Sequence, residues 1–260
     1  MKTPLTLISL FILFSSAIIN AQSSWSQSTS IDTIQDNQII FNDPTPPSQG
    51  TPTGSRRGGA SRTCYRSQDS LTALVPIQNQ IVFGQTSEAH PTLWFYLPTH
   101  PDSPMTIEFW LQDAKDNVIY TAQTTLANSQ PGLMAIAVPA TAEPLAANQL
   151  YTWTLQGSCQ SERSAESSSL VVKGTIQRTT LDTTVQKQLA AATPLERAKV
   201  YAAKGIWYDA LNTVAASYRR NRSDRSIAAA WNTLLKQIGL ESLAEKPFLS
   251  SGKDVSNRNP

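Results

Sequence analysis

Hydrophobic positions in the middle of the chain recur with the period of two that is typical of β-strands. Between Leu71 and Leu181 this alternation predicts about seven short strands, each bounded by Pro, Gly or a polar turn. The strands are Leu71–Val75, Thr92–Leu97, Met105–Gln112, Val118–Leu126, Leu133–Val138, Leu150–Leu155 and Leu170–Arg178. Regular turn signals between so many strands are typical of a β-sandwich.

After Leu181 the hydrophobic period changes from 2 to 3.6, which predicts helices. A first short helix carries Val185 and Leu189 on the same face as Leu181. The segment Thr193–Glu196 reads as a capping box with Pro at the first helical position, so a second helix begins there. We expect this helix to end at Gly205, a residue suited to the left-handed position after a helix.

Two further helices repeat one apolar phase. The last of them is capped by Ser223 or Asp224 and ends before Gly239. The apolar residues are Trp207, Ala210, Leu211, Val214, Ala215 and Tyr218, then Ile227, Ala230, Trp231, Leu234, Leu235 and Ile238. The predicted fold class is therefore α+β: an antiparallel β-sandwich over residues 63–181, followed by a bundle of three to four helices over residues 182–249.

The entry to the strand Leu150–Leu155 resembles that of immunoglobulin-like domains. Tyr151 and Trp153 form a Tyr-x-Trp pattern behind Leu150. In such domains the Tyr hydroxyl reaches back to the preceding corner. The resemblance implies an immunoglobulin-like sandwich.

The N-terminus has the pattern of a secretory signal peptide. Lys2 precedes an apolar run from Leu5 to Ile19, and Ala21 stands before the expected cleavage site. The run is shorter than the ~20 apolar residues of a spanning helix. We expect residues 1–21 to be removed and the protein to be exported to the periplasm or the extracellular space, without a membrane span; the alternative is an uncleaved anchor.

Composition restricts the remaining segments and the partners. Residues 22–62 are rich in Ser, Thr, Gln, Asn and Pro and predict a disordered leader, in which the short apolar run Ile39–Phe41 is a candidate for one strand. Residues 250–260 predict a disordered tail. The formal net charge of +2 gives no field strong enough to indicate a nucleic-acid partner.

Cys64 and Cys159 are the two cysteines of the chain. In an oxidising compartment a single pair most often forms a disulfide, so we predict one between them. A free nucleophilic thiol and half of a metal site are the alternatives, but neither cysteine has a His nearby in the sequence.

Residues that commonly carry catalysis or bind metal are sparse. His90 and His100 lie in loops at opposite ends of the Thr92–Leu97 strand, and the motifs of zinc proteases, α/β-hydrolases and P-loop proteins are missing. Asp113, Asp116 and Asn117 form either a plain hairpin turn or a weak calcium loop. We therefore predict no catalytic residue, no metal and no cofactor.

Aromatic side chains offer a possible sugar-binding platform. Trp94, Tyr96, Trp110 and Trp153 lie on predicted strands, where core packing is the alternative role. Both faces of the Thr92–Leu97 strand are apolar, which predicts a central strand covered on both sides.

The densest basic patch lies between the last two helices. It contains Arg219, Arg220, Arg222 and Arg225 and is a possible interaction surface for a phosphate or an acidic partner. Solvation of a helix end is the alternative explanation.

The region around Gly205 resembles a tetratricopeptide repeat. Tyr201, Gly205, Trp207 and Ala210 have the relative spacing of that repeat's aromatic, turn and packing positions. The resemblance implies a packed helical hairpin or a helical surface that binds a partner.

Several segments, in order, resemble the family called domain of unknown function 928, which is found mainly in exported cyanobacterial proteins. The segments are Leu71–Pro76, Pro91–Pro98, Glu108–Asp113, Pro131–Gly132, Tyr151–Trp153, Ala192–Arg197 and Gly205–Leu211. The resemblance implies export, a β-then-α order and that origin, but no function.

Taken together, these features predict a non-enzymatic interaction or structural protein of the cell envelope, whose partner is an unknown protein or envelope component. The alternative is a carbohydrate-binding module or a weak carbohydrate-active hydrolase that uses exposed Trp and carboxylate side chains.

Overall fold

A computed structural model describes residues 38–48, 54–58, 70–98, 104–126, 131–160 and 167–249. This part of the chain contains β-strands followed by α-helices and one 3-10 turn. The strands are β1 (Thr72–Ala73), β2 (Ile77–Gln78), β3 (Ile81–Thr86), β4 (Thr92–Leu97), β5 (Met105–Gln112), β6 (Val118–Leu126), β7 (Gly132–Ala137), β8 (Leu150–Gln160) and β9 (Ser167–Arg178). The helices are α1 (Thr183–Ala191), α2 (Pro194–Ala203), α3 (Trp207–Arg220), α4 (Arg225–Gln237) and the 3-10 turn Glu241–Leu243.

The strands form two sheets that pack face to face. The smaller has the order β1-β4-β7 and the larger has the order β2-β3-β9-β8-β5-β6. Paired strands are antiparallel except β3 and β9, which are parallel. Phe95 on β4 contacts Phe109 on β5 and Trp153 on β8, with ring centroids 6.2 and 5.5 Å apart. A β-sandwich followed by helices is therefore confirmed, whereas the immunoglobulin-like topology stays a prediction.

Strand β4 is covered on both faces, as its sequence predicts. It is the middle strand of the smaller sheet, and Leu93 to Leu97 are all buried. Phe95 points at the larger sheet, whereas Trp94 on the other face contacts the Phe248 ring at 5.4 Å. The smaller sheet thus lies between the larger sheet and the C-terminal part of the chain.

The corner before β8 has the predicted tyrosine contact. The hydroxyl of Tyr151 accepts the backbone N–H of Ala146 at 2.8 Å. This bond satisfies a corner amide and fixes the point at which β8 begins.

The hairpin β2–β3 was not predicted from the sequence. Its turn residues Asn79 and Gln80 have φ of 50° and 64°. Two positive φ values are typical of a tight hairpin turn, but such turns are usually signalled by Gly, which is missing here. The turn therefore cannot be recognised in the sequence from Gly or Pro. Strand β3 pairs with β9 in the larger sheet.

The helix boundaries follow the predicted capping chemistry. The Thr193 N–H donates to Glu196 Oε2 at 2.7 Å, and the Glu196 N–H donates to Thr193 Oγ1 at 3.4 Å, which is a capping box. Gly205 has φ of 75° and follows the end of α2. Asp224, one of the two predicted residues, caps α4 by accepting the Ser226 and Ile227 N–H groups.

Helix α3 packs directly against the sandwich. The Trp207 indole N–H donates to the Leu74 carbonyl at 2.8 Å, and the Tyr208 hydroxyl accepts the Trp153 indole N–H at 2.8 Å. Burial raises the pKa of Tyr208 far above its usual range. The predicted inner face of α3 is therefore in contact with the sheets, while its likeness to a tetratricopeptide repeat stays a prediction.

Part of the predicted disordered leader is packed. Ile39 is 1% exposed, the Asn42 N–H donates to the Ala202 carbonyl at 3.0 Å, and the Phe41 ring lies 4.8 Å from that of Trp207. The structure contradicts the prediction for residues 38–48, because a few apolar residues dock in a segment whose average composition is polar.

Residues 54–58 are also held, through the bond from the Gly58 N–H to the Leu71 carbonyl at 2.8 Å. The predicted signal peptide, the remaining leader and the tail 250–260 lie outside the described residues. Within the described part, no helix has the length and apolar character needed to cross a membrane.

Candidate functional site

Two members of the predicted arginine surface lie over aromatic rings. The Arg219 guanidinium is 5.8 Å from the Trp94 ring and 5.7 Å from the Phe248 ring. The Arg222 guanidinium is 5.4 Å from the Tyr218 ring and 5.3 Å from the Phe248 ring. Cation–π contacts of this kind hold both side chains against the C-terminal segment.

The other two arginines have different surroundings. Arg220 donates from Nη2 to the Ser217 hydroxyl at 3.4 Å and lines a cleft beside α3. Arg225 is the exposed first residue of α4. The four side chains therefore do not form one uniform patch, and a role in binding a partner stays a prediction.

The predicted hairpin loop is organised by Asp113. Its carboxylate accepts the Lys115 and Asn117 N–H groups at 2.8 and 2.9 Å and the Asn117 side-chain amide at 2.9 Å. These hydrogen bonds, above all that of the Asn117 side chain, lower the pKa of Asp113. The carboxylate thus closes the turn, and no group of three or more His, Cys, Asp or Glu is placed to hold a metal among the described residues.

The two histidines and the two cysteines can be followed only in part. His90 Nε2 lies 3.2 Å from the Ala142 carbonyl oxygen. Cys159 is 3% exposed near the end of β8. His100 and Cys64 lie outside the described residues, so the disulfide stays a prediction.

Four described tryptophans are buried, and each donates its indole N–H to an acceptor inside the protein. Their exposed fractions are 3% or less. The pairs are Trp94 with Asn212 Oδ1, Trp153 with the Tyr208 hydroxyl, Trp207 with the Leu74 carbonyl and Trp231 with the Ala244 carbonyl, at 3.2, 2.8, 2.8 and 3.0 Å. Two residues of the predicted sugar platform, Trp94 and Trp153, are therefore part of the core, as is Tyr96.

Trp110 differs from these four. It lies on β5 between buried Phe109 and buried Leu111, so it points away from the core, and it is only partly buried. Its indole N–H has no acceptor within the described part of the chain. Trp110 is thus the one member of the predicted platform that remains open to solvent.

Polar side chains surround Trp110 on the outer face of the larger sheet. Thr121 on β6 and Thr154 on β8 are its direct cross-strand partners. Glu108 and Gln112 lie two residues before and after it on β5, and directly opposed residues share a face. We call this surface the Trp110 face, defined by Glu108, Trp110, Gln112, Thr121, Gln123, Thr154 and Gln156.

The Trp110 face carries hydroxyl and amide groups with a single carboxylate, that of Glu108. Gln123 and Gln156 are the cross-strand partners of Glu108. The neighbouring strand β9 adds Val171, which is 43% exposed, and Lys173. An aromatic ring among mainly neutral hydrogen-bonding groups can bind an uncharged polyhydroxylated ligand.

A pair of carboxylates lines the separate cleft beside α3. Asp209 accepts the Thr86 hydroxyl at 2.5 Å on Oδ1, and on Oδ2 it accepts the Ser87 N–H at 2.9 Å together with the Ser87 hydroxyl. Burial raises the pKa of Asp209 to about 6. Glu88 lines the same cleft and is exposed. Asp209 therefore ties α3 to the turn after β3, with both oxygens engaged by protein donors.

Residues 53–248 match the family model described as Domain of Unknown Function (DUF928). The chain belongs to this family. The DUF928 match spans both the sandwich and the helices. Helix α3 contacts β3 and β4, so these two parts of the matched region pack together. Comparison with curated proteins gives no match.

Proposed function

We propose that this DUF928 protein is an exported, non-enzymatic binding protein of the cell envelope that contacts a neutral polysaccharide through the Trp110 face. The observation that carries the proposal is the contrast among tryptophans. Four are buried and hydrogen-bonded within the protein, whereas Trp110 is partly exposed at the centre of a polar sheet face.

The chemistry of this face matches a sugar chain. A pyranose ring with equatorial hydroxyls has an apolar C–H face, which stacks on an indole ring, and a rim of hydroxyls. Residues two positions apart on β5 are about 6.8 Å apart, so Glu108 and Gln112 flank a ring stacked on Trp110. Amide groups both donate and accept, which suits hydroxyl ligands of variable orientation.

The distribution of carboxylates supports binding rather than hydrolysis. Glycoside hydrolysis commonly uses two carboxyl groups across one bond, at about 5–5.5 Å or about 6.5–9.5 Å. On the Trp110 face only Glu108 supplies such a group among the described residues. Asp209, in the other cleft, already binds the turn after β3.

Two further features support an envelope protein that acts by contact. The N-terminal pattern from Lys2 to Ala21 favours export, and export places the protein where polysaccharides occur. Helix α3 directs its apolar residues at the sheets, which favours a packing role for the helical region. The open face of the larger sheet is the surface that we assign to the polysaccharide.

Binding to insoluble polysaccharides tests the proposal. Wild-type protein is incubated with cellulose, mannan and xylan, and the bound fraction is measured against the concentration of free protein. We expect saturable binding to at least one of these neutral polymers. Trp110→Ala should lower that affinity about 30-fold, the size typical of an aromatic hot spot.

Ile77→Ala is the matched control, because Ile77 is an exposed apolar residue on β2, several strands away from β5 in the same sheet. It should bind like wild type, and circular dichroism should show that both variants are folded. Equal binding by Trp110→Ala and wild type, or no binding to any neutral polymer, would contradict the proposal.

A further inference from the structure

The cleft beside α3 lies between the turn after β3 and helices α2 and α3. Its volume is about 390 Å³, which is the size of a small-molecule site. Arg197 of α2 and Asn212 and Arg220 of α3 are among its lining residues. None of them belongs to the Trp110 face, so this cleft is independent of the proposed polysaccharide site.

The two acidic residues of the cleft differ in whether their carboxylates are free to contact a ligand. Asp209 is buried, and both of its carboxylate oxygens accept hydrogen bonds from Thr86 and Ser87. Glu88 is exposed at the edge of the cleft. The buried carboxylate is therefore committed to the protein, and Glu88 is the one exposed carboxylate among the described lining residues.

The arginines keep most of their hydrogen-bonding capacity. Arg220 donates to Ser217, and Arg197 lies beside the Tyr201 hydroxyl. Neither guanidinium is paired with a carboxylate within the described residues. Because a guanidinium has five N–H donors, each retains several that can reach a ligand.

Asn212 adds a donor whose orientation is fixed. The Trp94 indole can only donate, so the Asn212 atom 3.2 Å from it is the carbonyl oxygen Oδ1. The amide nitrogen Nδ2 must then point the other way. Asn212 lines the cleft, so this N–H₂ group is a third donor beside the two arginines.

We propose that the cleft binds a small molecule through an oxyanion, a carboxylate or phosphate group held by Arg197, Arg220 and the Asn212 amide. Guanidinium forks match the geometry of both groups. Both oxygens of Asp209 accept hydrogen bonds from Thr86 and Ser87, so this carboxylate shapes the cleft and its charge is dispersed over these donors.

Titration of the full chain with two probes, inorganic phosphate and malonate, tests the proposal. Amide resonances of residues 212, 213 and 217 are followed by NMR at constant ionic strength. We expect saturable shifts for at least one probe, and the probe that binds more tightly assigns the oxyanion. Arg197→Gln and Arg220→Gln should each weaken binding on the order of tenfold, the loss of one charge-assisted contact.

Arg225→Gln removes the same charge from an exposed position outside the cleft and is the matched control. It should leave the affinity unchanged. Linear shifts without saturation for both probes would overturn the proposal. So would a loss in Arg225→Gln equal to that of the cleft variants, because it would show that binding follows net charge.

Discussion

At the scale of single residues, Asp209 makes the free energy of unfolding depend on pH. Its pKa in the folded protein is about 6, because burial disfavours the charged form, above the ~3.9 of an unfolded chain. The folded state therefore holds this proton more tightly. The stability from protonated Asp209 is fully present below about pH 4 and is lost as the pH rises through about 6.

Asp209→Asn removes this titration while keeping the size of the side chain. Relative to the variant, we expect wild-type protein to lose on the order of 3 kcal/mol of unfolding free energy between pH 4 and pH 7. Urea unfolding of both proteins at several pH values measures the difference. A difference that stays constant, or that grows in favour of wild type as the pH rises, would refute the assignment.

A comparison of Gly205 with Gly239 distinguishes the cost of backbone strain from the cost of close packing. Both have positive φ, 75° and 67°, so a side chain at either position is strained. A Cβ at Gly205 would lie 2.8 Å from the Asn42 carbonyl oxygen, whereas at Gly239 the nearest atom is Arg56 Nη2 at 3.8 Å.

We expect Gly239→Ala to cost about 1–2 kcal/mol and Gly205→Ala to cost more, because the second change also displaces the segment at Asn42. Thermal and urea unfolding of the two variants measure the difference. Equal losses would show that residues 38–48 do not press on Gly205.

Local residue chemistry was predictable where the partners are close in sequence. The Thr193–Glu196 capping box and the Gly205 position depend on residues within a few positions of each other, and both were predicted. Asp209 was not, because its partner Ser87 lies 122 positions away. A contact between residues so far apart in the chain leaves no local pattern in the sequence.

At the scale of elements, residues 38–48 form an extended segment that packs against the helices. Ile39 is 1% exposed and Ile40 is 59% exposed, although they are identical neighbours. Ile39→Ala should lower the unfolding free energy by about 2–5 kcal/mol. Ile40→Ala should stay within about 0.5 kcal/mol of wild type.

Urea unfolding of the two variants gives the comparison directly. If both substitutions proved neutral, residues 38–48 would behave as the disordered leader that their composition predicts. The run Ile39–Phe41 is predicted only as a candidate strand, and its packing against the helices was not predicted, because composition averages over a few apolar residues in a polar segment.

Most strands and all four α-helices of the described region were predicted, since each has its own period and its own breakers. The exceptions have physical causes. The β2–β3 turn takes positive φ without Gly, and the end of β8 beyond Leu155 has few apolar residues and is held by pairing with β5 and β9. Pairing partners, rather than local propensity, set those boundaries.

At the scale of the whole molecule, the predicted bond between Cys64 and Cys159 would close a long loop around the sandwich. We expect no reactive thiol in exported protein that is denatured without reductant, and reduction should cost up to about 4–5 kcal/mol in the chain-entropy model. A thiol count with a chromogenic reagent checks this. Two reactive thiols per chain would exclude the bond.

The candidate site was predictable only as a list of aromatic residues. The sequence places Trp94, Trp110 and Trp153 on strands, but the choice among them depends on which sheet face the helices cover. Helix α3 and Phe248 cover Trp94, and the opposing sheet covers Trp153. The packing of separate elements therefore decides that Trp110 is the exposed one.

The most direct measurement is the indole N–H resonance of Trp110 in a ¹H–¹⁵N spectrum, identified by its loss in Trp110→Phe. During titration with soluble oligosaccharides of glucose, mannose and xylose, this resonance should shift and saturate. The resonances of the four buried tryptophans should move little. If the Trp110 resonance does not move with any neutral oligosaccharide, or if it moves together with those of all four buried tryptophans, the Trp110 face is not a polysaccharide site.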